Sequence, residues 1–418
     1  MGEFVVRGGR RLTGTVRVNG AKNAALPIMA ATVLANQPVV LHDVPELRDI
    51  QVMTKVLRSL GVTVERVGRD VLVDPRTLDN YVVPAELMQE MRASIFLLGP
   101  LLAKLGAAEA TQPGGCAIGD RPIDLHLYGL TALGAVVHDE GGRTILRAKR
   151  LTGREVHFPF PSVGATENVM MAASMAEGET RIRNAAMEPE IVDLAQFLER
   201  IGATVRGAGT PEIRISGSGS LGGAEHTIIG DRVEAATFVL AAAAVGGDLV
   251  VRNCMVDHLP GLWGRLQDIG VRIEEIDAET VHVASEGRFS PFPVSVATGP
   301  YPGFATDCQP QFMTFLLSVP GVHLVTEKVF ESRLGHAAEL RRMGAQIIAD
   351  RRVALIYGGH GLHGSYVTAP DLRAGAALVI GALMAEGESV IAGREIIERG
   401  YEHLDLRLRS LGAEIHAR

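Results

Sequence analysis

The sequence predicts an α/β protein built by duplication, two homologous halves of three units each. Three observations carry that reading. First, a phrase made of an apolar helix end, a glycine and a strand recurs six times along the 418 residues: RSLGVTVERV, TALGAVVHDE, ERIGATVRGA, QDIGVRIEEI, RRMGAQIIAD and RSLGAEIHAR. Its glycines, Gly61, Gly134, Gly202, Gly270, Gly344 and Gly412, are spaced by 73, 68, 68, 74 and 68 residues. Second, an Ala- and Leu-rich helix, a small or polar turn and a strand lie ahead of most copies, as in MAASMAEGETRIRNA, LAAAAVGGDLVVRNC and GALMAEGESVIAGRE. Third, 48 glycines stand beside only 12 Phe, 6 Tyr and 1 Trp, which argues for many tight turns and for cores of small aliphatic side chains.

Each element follows from local chemistry. A glycine just past a helix supplies the left-handed residue that closes it, and an alternating strand can start at once. The helices ATFVLAAAA and GAALVIGALMA are apolar on most faces, so they are expected inside a layer of sheets. A period near 70 is too long for helical or leucine-rich solenoids, which repeat at roughly 20–47 residues. The midpoint of the duplication falls near 225–232. The expected domains are 1–21 with 230–418, and 22–229 carrying an enlarged loop.

Composition excludes several classes. Hydrophobic residues make up 47% and charged residues 21%, so disorder is not the main state. A net charge of −7 gives no general attraction to nucleic acid or anionic membrane. The start, MGEFVVRGGRR, has no apolar core of a secretory signal, and the runs Ala235–Gly247 and Ala376–Ala385 are too short to span a bilayer. The cysteines at 116, 254 and 308 form no CxxC pair, and the 13 histidines include no HExxH, so no metal or disulfide framework is expected. Gly217–Gly222 matches GxGxxG, but no helix follows it, and the dinucleotide context fails. A soluble cytoplasmic protein without a cofactor is the expectation; oligomeric state is not legible.

Chemistry-bearing groups concentrate in loops. Asn19-Gly20-Ala21-Lys22-Asn23 sets a lysine at a helix start, which suits an anion or is simply a solvated turn lysine. Pro113–Pro122 places Cys116 between glycines and near Arg121, a setting for a proton-donating thiol or for an inert buried one. In Tyr301–Asp307, proline and glycine fix the backbone ahead of Asp307, which either aims a general base or caps the helix beginning near Gln309. Asp371-Leu372-Arg373 and Glu398–Glu402 add Arg373 and Arg399 to Arg92 and Arg121, a set of isolated guanidiniums that suits a multiply anionic substrate or scattered ion pairs.

Together GAKNAALP, MRASIFLLGP, PGGCAIGDRPIDLH, PSVGAT, EPEIVDL, FATD, DLRA and RGYE resemble the UDP-N-acetylglucosamine 1-carboxyvinyltransferase family, enolpyruvyl transferases related to EPSP synthase. The resemblance implies two inside-out α/β barrels of three βαβαββ units each. It implies transfer of the enolpyruvyl group of phosphoenolpyruvate to the 3′-hydroxyl of UDP-N-acetylglucosamine through a tetrahedral ketal, in peptidoglycan synthesis. Cys116 would then be the mobile-loop proton donor and the residue alkylated by fosfomycin, and Asp307 the base at the sugar hydroxyl. Lys22, Asn23, Arg121 and Arg399 would hold phosphoenolpyruvate, with Arg373 and Asp371 at its carboxylate end. Arg92, Arg121, Pro122, Ile123, Asp124, Leu125, Ser162, Val163, Gly164, Asp307 and the backbone at Val329 would contact the UDP-sugar. Phe160 and Met187 stand where many relatives carry a basic residue, and Ala305 replaces a proline. These departures leave open a paralogue with another nucleotide-sugar acceptor; a UDP-sugar-binding paralogue without catalysis is disfavoured by the retention of Lys22, Cys116, Asp307 and Arg399 together. The shikimate-pathway branch is disfavoured, because GAKNAAL replaces its SKS-type lysine motif.

Overall fold

A computed structural model describes residues 2–111, 118–119 and 122–418. They form two compact units. The terminal unit holds 2–19, 118–119 and 230–418; the inner unit holds 20–111 and 122–229.

Six short sheets recur with one plan, five of four strands and one of three among the described residues. Gly247–Arg252 shows it: Leu12–Arg17 pairs with it in parallel on one side, and Thr280–Ser285 pairs antiparallel on the other, followed by Arg272–Asp277. In the inner unit Val39–His42 takes the same central place, with Glu225–Thr227 parallel to it. In the three-stranded sheet the parallel strand is reduced to a single bridge, Val82 to Glu109. The N-terminal strand Glu3–Arg7 lies between Glu388–Ala392 and Glu414–Ala417, so the start of the chain completes the sixth repeat.

All six recurrent glycines adopt positive φ, from 92° to 114°. Each follows a helix, for example Pro189–Ile201 and Pro260–Ile269, where the glycine is the left-handed C-terminal residue. The strand opens two residues later, at Thr204 and Arg272 in those two cases. The repeat seen as sequence is thus a repeat of backbone geometry.

Each unit has its own core, and its most buried helices lie at the centre of it. In the terminal unit these are Arg232–Val245, Gln309–Phe315 and Leu372–Met384; in the inner unit Lys22–Ala31 and Val163–Ala173 are buried along nearly their whole length. Small side chains permit such close approach: Ala235, Ala236 and Ala241–Ala243 are all at most 1% exposed. The expectation of a core without rings needs correction. Phe289, Phe304, Phe312 and Phe315 pack ring to ring at 5.0–5.9 Å in the terminal unit. No helix among the described residues is long and apolar enough to cross a membrane.

Candidate active site

In the terminal unit, Asp307 sits on the 3-10 turn Thr306–Cys308 that leads into Gln309–Phe315. Neither element uses a side-chain cap, so the capping alternative for Asp307 fails. Its carboxylate instead accepts from Arg333 Nη2 at 2.9 Å on Oδ1 and from Arg373 Nε at 3.4 Å on Oδ2. Both arginines are 2% exposed. Two guanidiniums gripping opposite oxygens fix the plane of the carboxylate.

Arg373 is itself held on several sides. Asp371 Oδ1 accepts from the backbone N–H of Arg373 at 2.9 Å and of Ala374 at 3.1 Å, capping Leu372–Met384. The guanidinium lies 5.3 Å from the ring centre of Tyr401, whose hydroxyl is bonded to Gln311 at 2.9 Å and Thr237 at 3.0 Å. Burial opposes the charge on Arg373, but Tyr401, Asp307 and Asp231 outweigh it and hold the group above the ordinary arginine value. Arg373 Nη1 and Arg333 Nε are buried and have no hydrogen-bond partner among the described residues. A buried cationic donor left over in this way suits an anionic ligand oxygen. Gly400 abuts Leu372 and Arg373, so half-buried Arg399 is carried on a segment that touches the same cluster.

The backbone N–H of Val329 donates to Glu327 Oε1 at 2.8 Å and is therefore already engaged. Cys116 and Arg121 lie outside the described residues. Ile118 accepts from Ser332 N–H at 3.0 Å, and Gly119 lies against Glu331. Cys254 and Cys308 are buried, and burial pushes each thiol up to about 12. Neither has thiolate character near neutral pH.

In the inner unit, Lys22 is the first residue of Lys22–Ala31 and is buried, contrary to the solvated alternative. Its Nζ lies 3.2 Å from Asp49 Oδ2 on the first turn of Arg48–Ser59. Asn23 is exposed beside it. Ser162 caps Val163–Ala173, its Oγ accepting from Ala165 N–H at 3.4 Å. Pro122 and Asp124 are exposed, and Ile123 and Leu125 half-buried, at the start of Asp124–Ala132.

These segments are aligned by a residue that sequence reading missed. Buried Asn168 donates to Ile95 O at 3.1 Å and to His126 Nδ1 at 2.8 Å, and accepts from Gly99 N–H at 2.7 Å. It thereby joins the 3-10 helix Arg92–Leu97, the helix Asp124–Ala132 and its own helix. Gly164 fits against this join, since a Cβ there would lie 2.9 Å from His126 Cε1. Arg92, residues 124–125 and residues 163–164 lie on the elements that this amide ties together. Glu167, one residue before it, is fully buried; desolvation, then Glu190 and Glu188, push its carboxyl well above the usual range.

Six α/β repeats divided between two homologous units are the fold of the enolpyruvyl transferases. The chain belongs to that family: the sequence profile described as EPSP synthase (3-phosphoshikimate 1-carboxyvinyltransferase) matches residues 6–408. Within it, the chain is similar to a UDP-N-acetylglucosamine 1-carboxyvinyltransferase 2 of Carboxydothermus hydrogenoformans, 49% identical over 99% of both chains. It is also 46% identical to a UDP-N-acetylglucosamine 1-carboxyvinyltransferase of Acidobacterium capsulatum, over 99% of this chain and 96% of the relative. Among solved structures, the enolpyruvyl transferase NikO from Streptomyces tendae superposes with a TM-score of 0.90 at 25% identity, over 100% of this chain and 98% of that one. EPSP synthase from Acinetobacter baumannii shares the fold, with a TM-score of 0.77 at 18% identity over 100% of both chains.

Proposed function

We propose that this chain transfers the enolpyruvyl group of phosphoenolpyruvate to the 3′-hydroxyl of UDP-N-acetylglucosamine and releases phosphate. The observation that carries the reading is Asp307, oriented by Arg333 and Arg373, each of which retains a buried donor.

Asp307 takes the proton of the sugar hydroxyl as its oxygen attacks C2 of phosphoenolpyruvate, and Cys116 protonates C3. The C2–O bond to the sugar forms and the C2–C3 double bond is lost, giving a tetrahedral ketal. Loss of a proton from C3 then restores the double bond as phosphate leaves with the C–O electron pair. Phosphoenolpyruvate carries about three negative charges, so catalysis depends on fixed cationic donors. Lys22, Arg121 and Arg399 bind its phosphate and carboxylate with Asn23 beside them, and Arg373, held by its Asp371 cap, helps to hold the carboxylate end. Arg92, residues 121–125, residues 162–164 and the Val329 backbone hold the UDP-sugar, whose hydroxyl is thereby placed for attack.

The reaction belongs to the first committed step of peptidoglycan synthesis, a cytoplasmic step on which cell shape and division depend. Fosfomycin alkylates Cys116 in this reading. The test is phosphate release from phosphoenolpyruvate with UDP-N-acetylglucosamine, with shikimate 3-phosphate as the competing acceptor. Release with the nucleotide sugar supports the proposal, and release with neither acceptor removes the enzymatic reading. Half-exposed Phe160, on the turn before Ser162, favours one further arm: other nucleotide sugars tested as acceptors.

A further inference from the structure

We infer that Glu327 is the positioning residue that sets both Asp307 and the Val329 turn. The inference rests on the proposed reaction. Glu327 is 0% exposed. Hydroxyl and backbone N–H groups donate to both of its oxygens. Oε1 accepts from Thr298 Oγ1 at 2.8 Å, from Val329 N–H at 2.8 Å and from Phe330 N–H at 3.1 Å. Oε2 accepts from Thr306 Oγ1 at 3.0 Å. Thr298 is doubly used, its hydroxyl also accepting from Lys328 N–H at 2.8 Å.

One carboxylate therefore fastens three segments: the strand end at Thr298, the turn 328–330 and the turn carrying Asp307. Burying a carboxyl group away from water is costly unless it is hydrogen-bonded, and four hydrogen bonds hold this one. An apolar residue would fill a core at lower cost, so the buried carboxyl is explained by what it orders. Thr306 is the neighbour of Asp307, and the chain leaving Phe330 runs directly to Arg333, whose Nη2 grips the other side of Asp307. Between them, Glu331 meets Gly119 and Ser332 N–H holds Ile118, next to the cysteine loop. Glu327 thus fixes the base from its own turn and, through residues 328–333, the arginine that orients it. It touches no reacting atom. It acts through Thr306, Val329 and Arg333.

The experiment is steady-state kinetics of Glu327→Gln and Thr306→Val, with Thr306→Ser as the conservative rescue. Wild-type phosphate release, measured first, tests the reaction itself and is independent of Glu327. Given an active wild type, Glu327→Gln is expected to lower kcat about 10- to 100-fold, the loss that sub-ångström to 1 Å misplacement brings. The KM for UDP-N-acetylglucosamine rises several-fold, and that for phosphoenolpyruvate stays within about twofold. Thr306→Val lowers kcat in the same direction, Thr306→Ser restores it, and the double variant is no worse than Glu327→Gln. Amide exchange at Val329 and Phe330 accelerates in Glu327→Gln. A folded Glu327→Gln with wild-type kcat overturns the inference. So does a loss shared equally by both KM values with additive behaviour of Thr306→Val. Should Glu327→Gln fail to fold, Thr306→Val and Thr306→Ser decide alone, since the first cuts the same link, the second keeps it, and both leave the buried carboxyl in place.

Discussion

Replacing Asp307 by asparagine removes one negative charge and keeps the shape. In the structure that carboxylate faces two guanidiniums that are each 2% exposed, at 2.9 and 3.4 Å. Asparagine can still offer one oxygen to Arg333, but its amide then turns a donor toward Arg373 Nε. Removing one partner of a fully buried pair costs about 3–5 kcal/mol. Here the side chain of Asp307 is 27% exposed and one acceptor survives, so the expected loss of stability is nearer about 1–3 kcal/mol. The kinetic loss is larger. A general base absent from the reacting hydroxyl costs about 10²- to 10⁴-fold in turnover. Phosphate release at saturating phosphoenolpyruvate and UDP-N-acetylglucosamine reads the rate, and thermal unfolding reads the stability. A folded Asp307→Asn enzyme within twofold of wild-type kcat would refute the assignment of Asp307 as the base.

Other expectations follow from the same structure. A thiol reagent should modify one cysteine per native chain, because Cys254 and Cys308 are buried with pKa values of about 12, and Cys116→Ser should abolish both that labelling and inactivation by fosfomycin; labelling of two or more thiols in the folded chain contradicts this. Burial lowers the pKa of His336 to about 4 from 6.5. The unfolded chain therefore binds this proton first as pH falls from 6.5 to 4, and stability declines across that window by about 3 kcal/mol. His336→Leu should flatten the decline in denaturant midpoints, whereas an unchanged slope would place its origin elsewhere. Gly230→Ala would put a Cβ 2.0 Å from the carbonyl oxygen of Asn253. It should cost at least about 1–3 kcal/mol, and a wild-type melting temperature would contradict the close approach.

The repeat architecture was legible because its punctuation is local. A glycine that closes a helix is required by backbone sterics wherever the fold around it lies, and all six were visible as a phrase with a strand behind. The role of small residues in the central helices was equally plain, although composition misled about rings. Four phenylalanines cluster in one core, and a count over the whole chain cannot show clustering. At the site, Asp307 and Arg373 were singled out by turn chemistry and by sparse charge in apolar surroundings. Arg333, Glu327, Asp49 and Asn168 were not. Glu327 acts on Thr298 and Thr306, 29 and 21 residues away, and Asn168 acts on Ile95 and His126, 73 and 42 residues away. Such partners carry no spacing signal; only the folded backbone brings them together. Lys22 shows the intermediate case, since its place at a helix start was readable, but its burial against Asp49 was not.

The most direct test of the account is the product formed by wild-type protein from phosphoenolpyruvate and UDP-N-acetylglucosamine. Phosphate release and carbon NMR of the sugar should be followed in one reaction, with shikimate 3-phosphate in a parallel vessel. The account predicts one enolpyruvyl ether on the 3′-oxygen for each phosphate released, and no release with shikimate 3-phosphate. Phosphate without an ether on the sugar, or turnover of shikimate 3-phosphate alone, would contradict it.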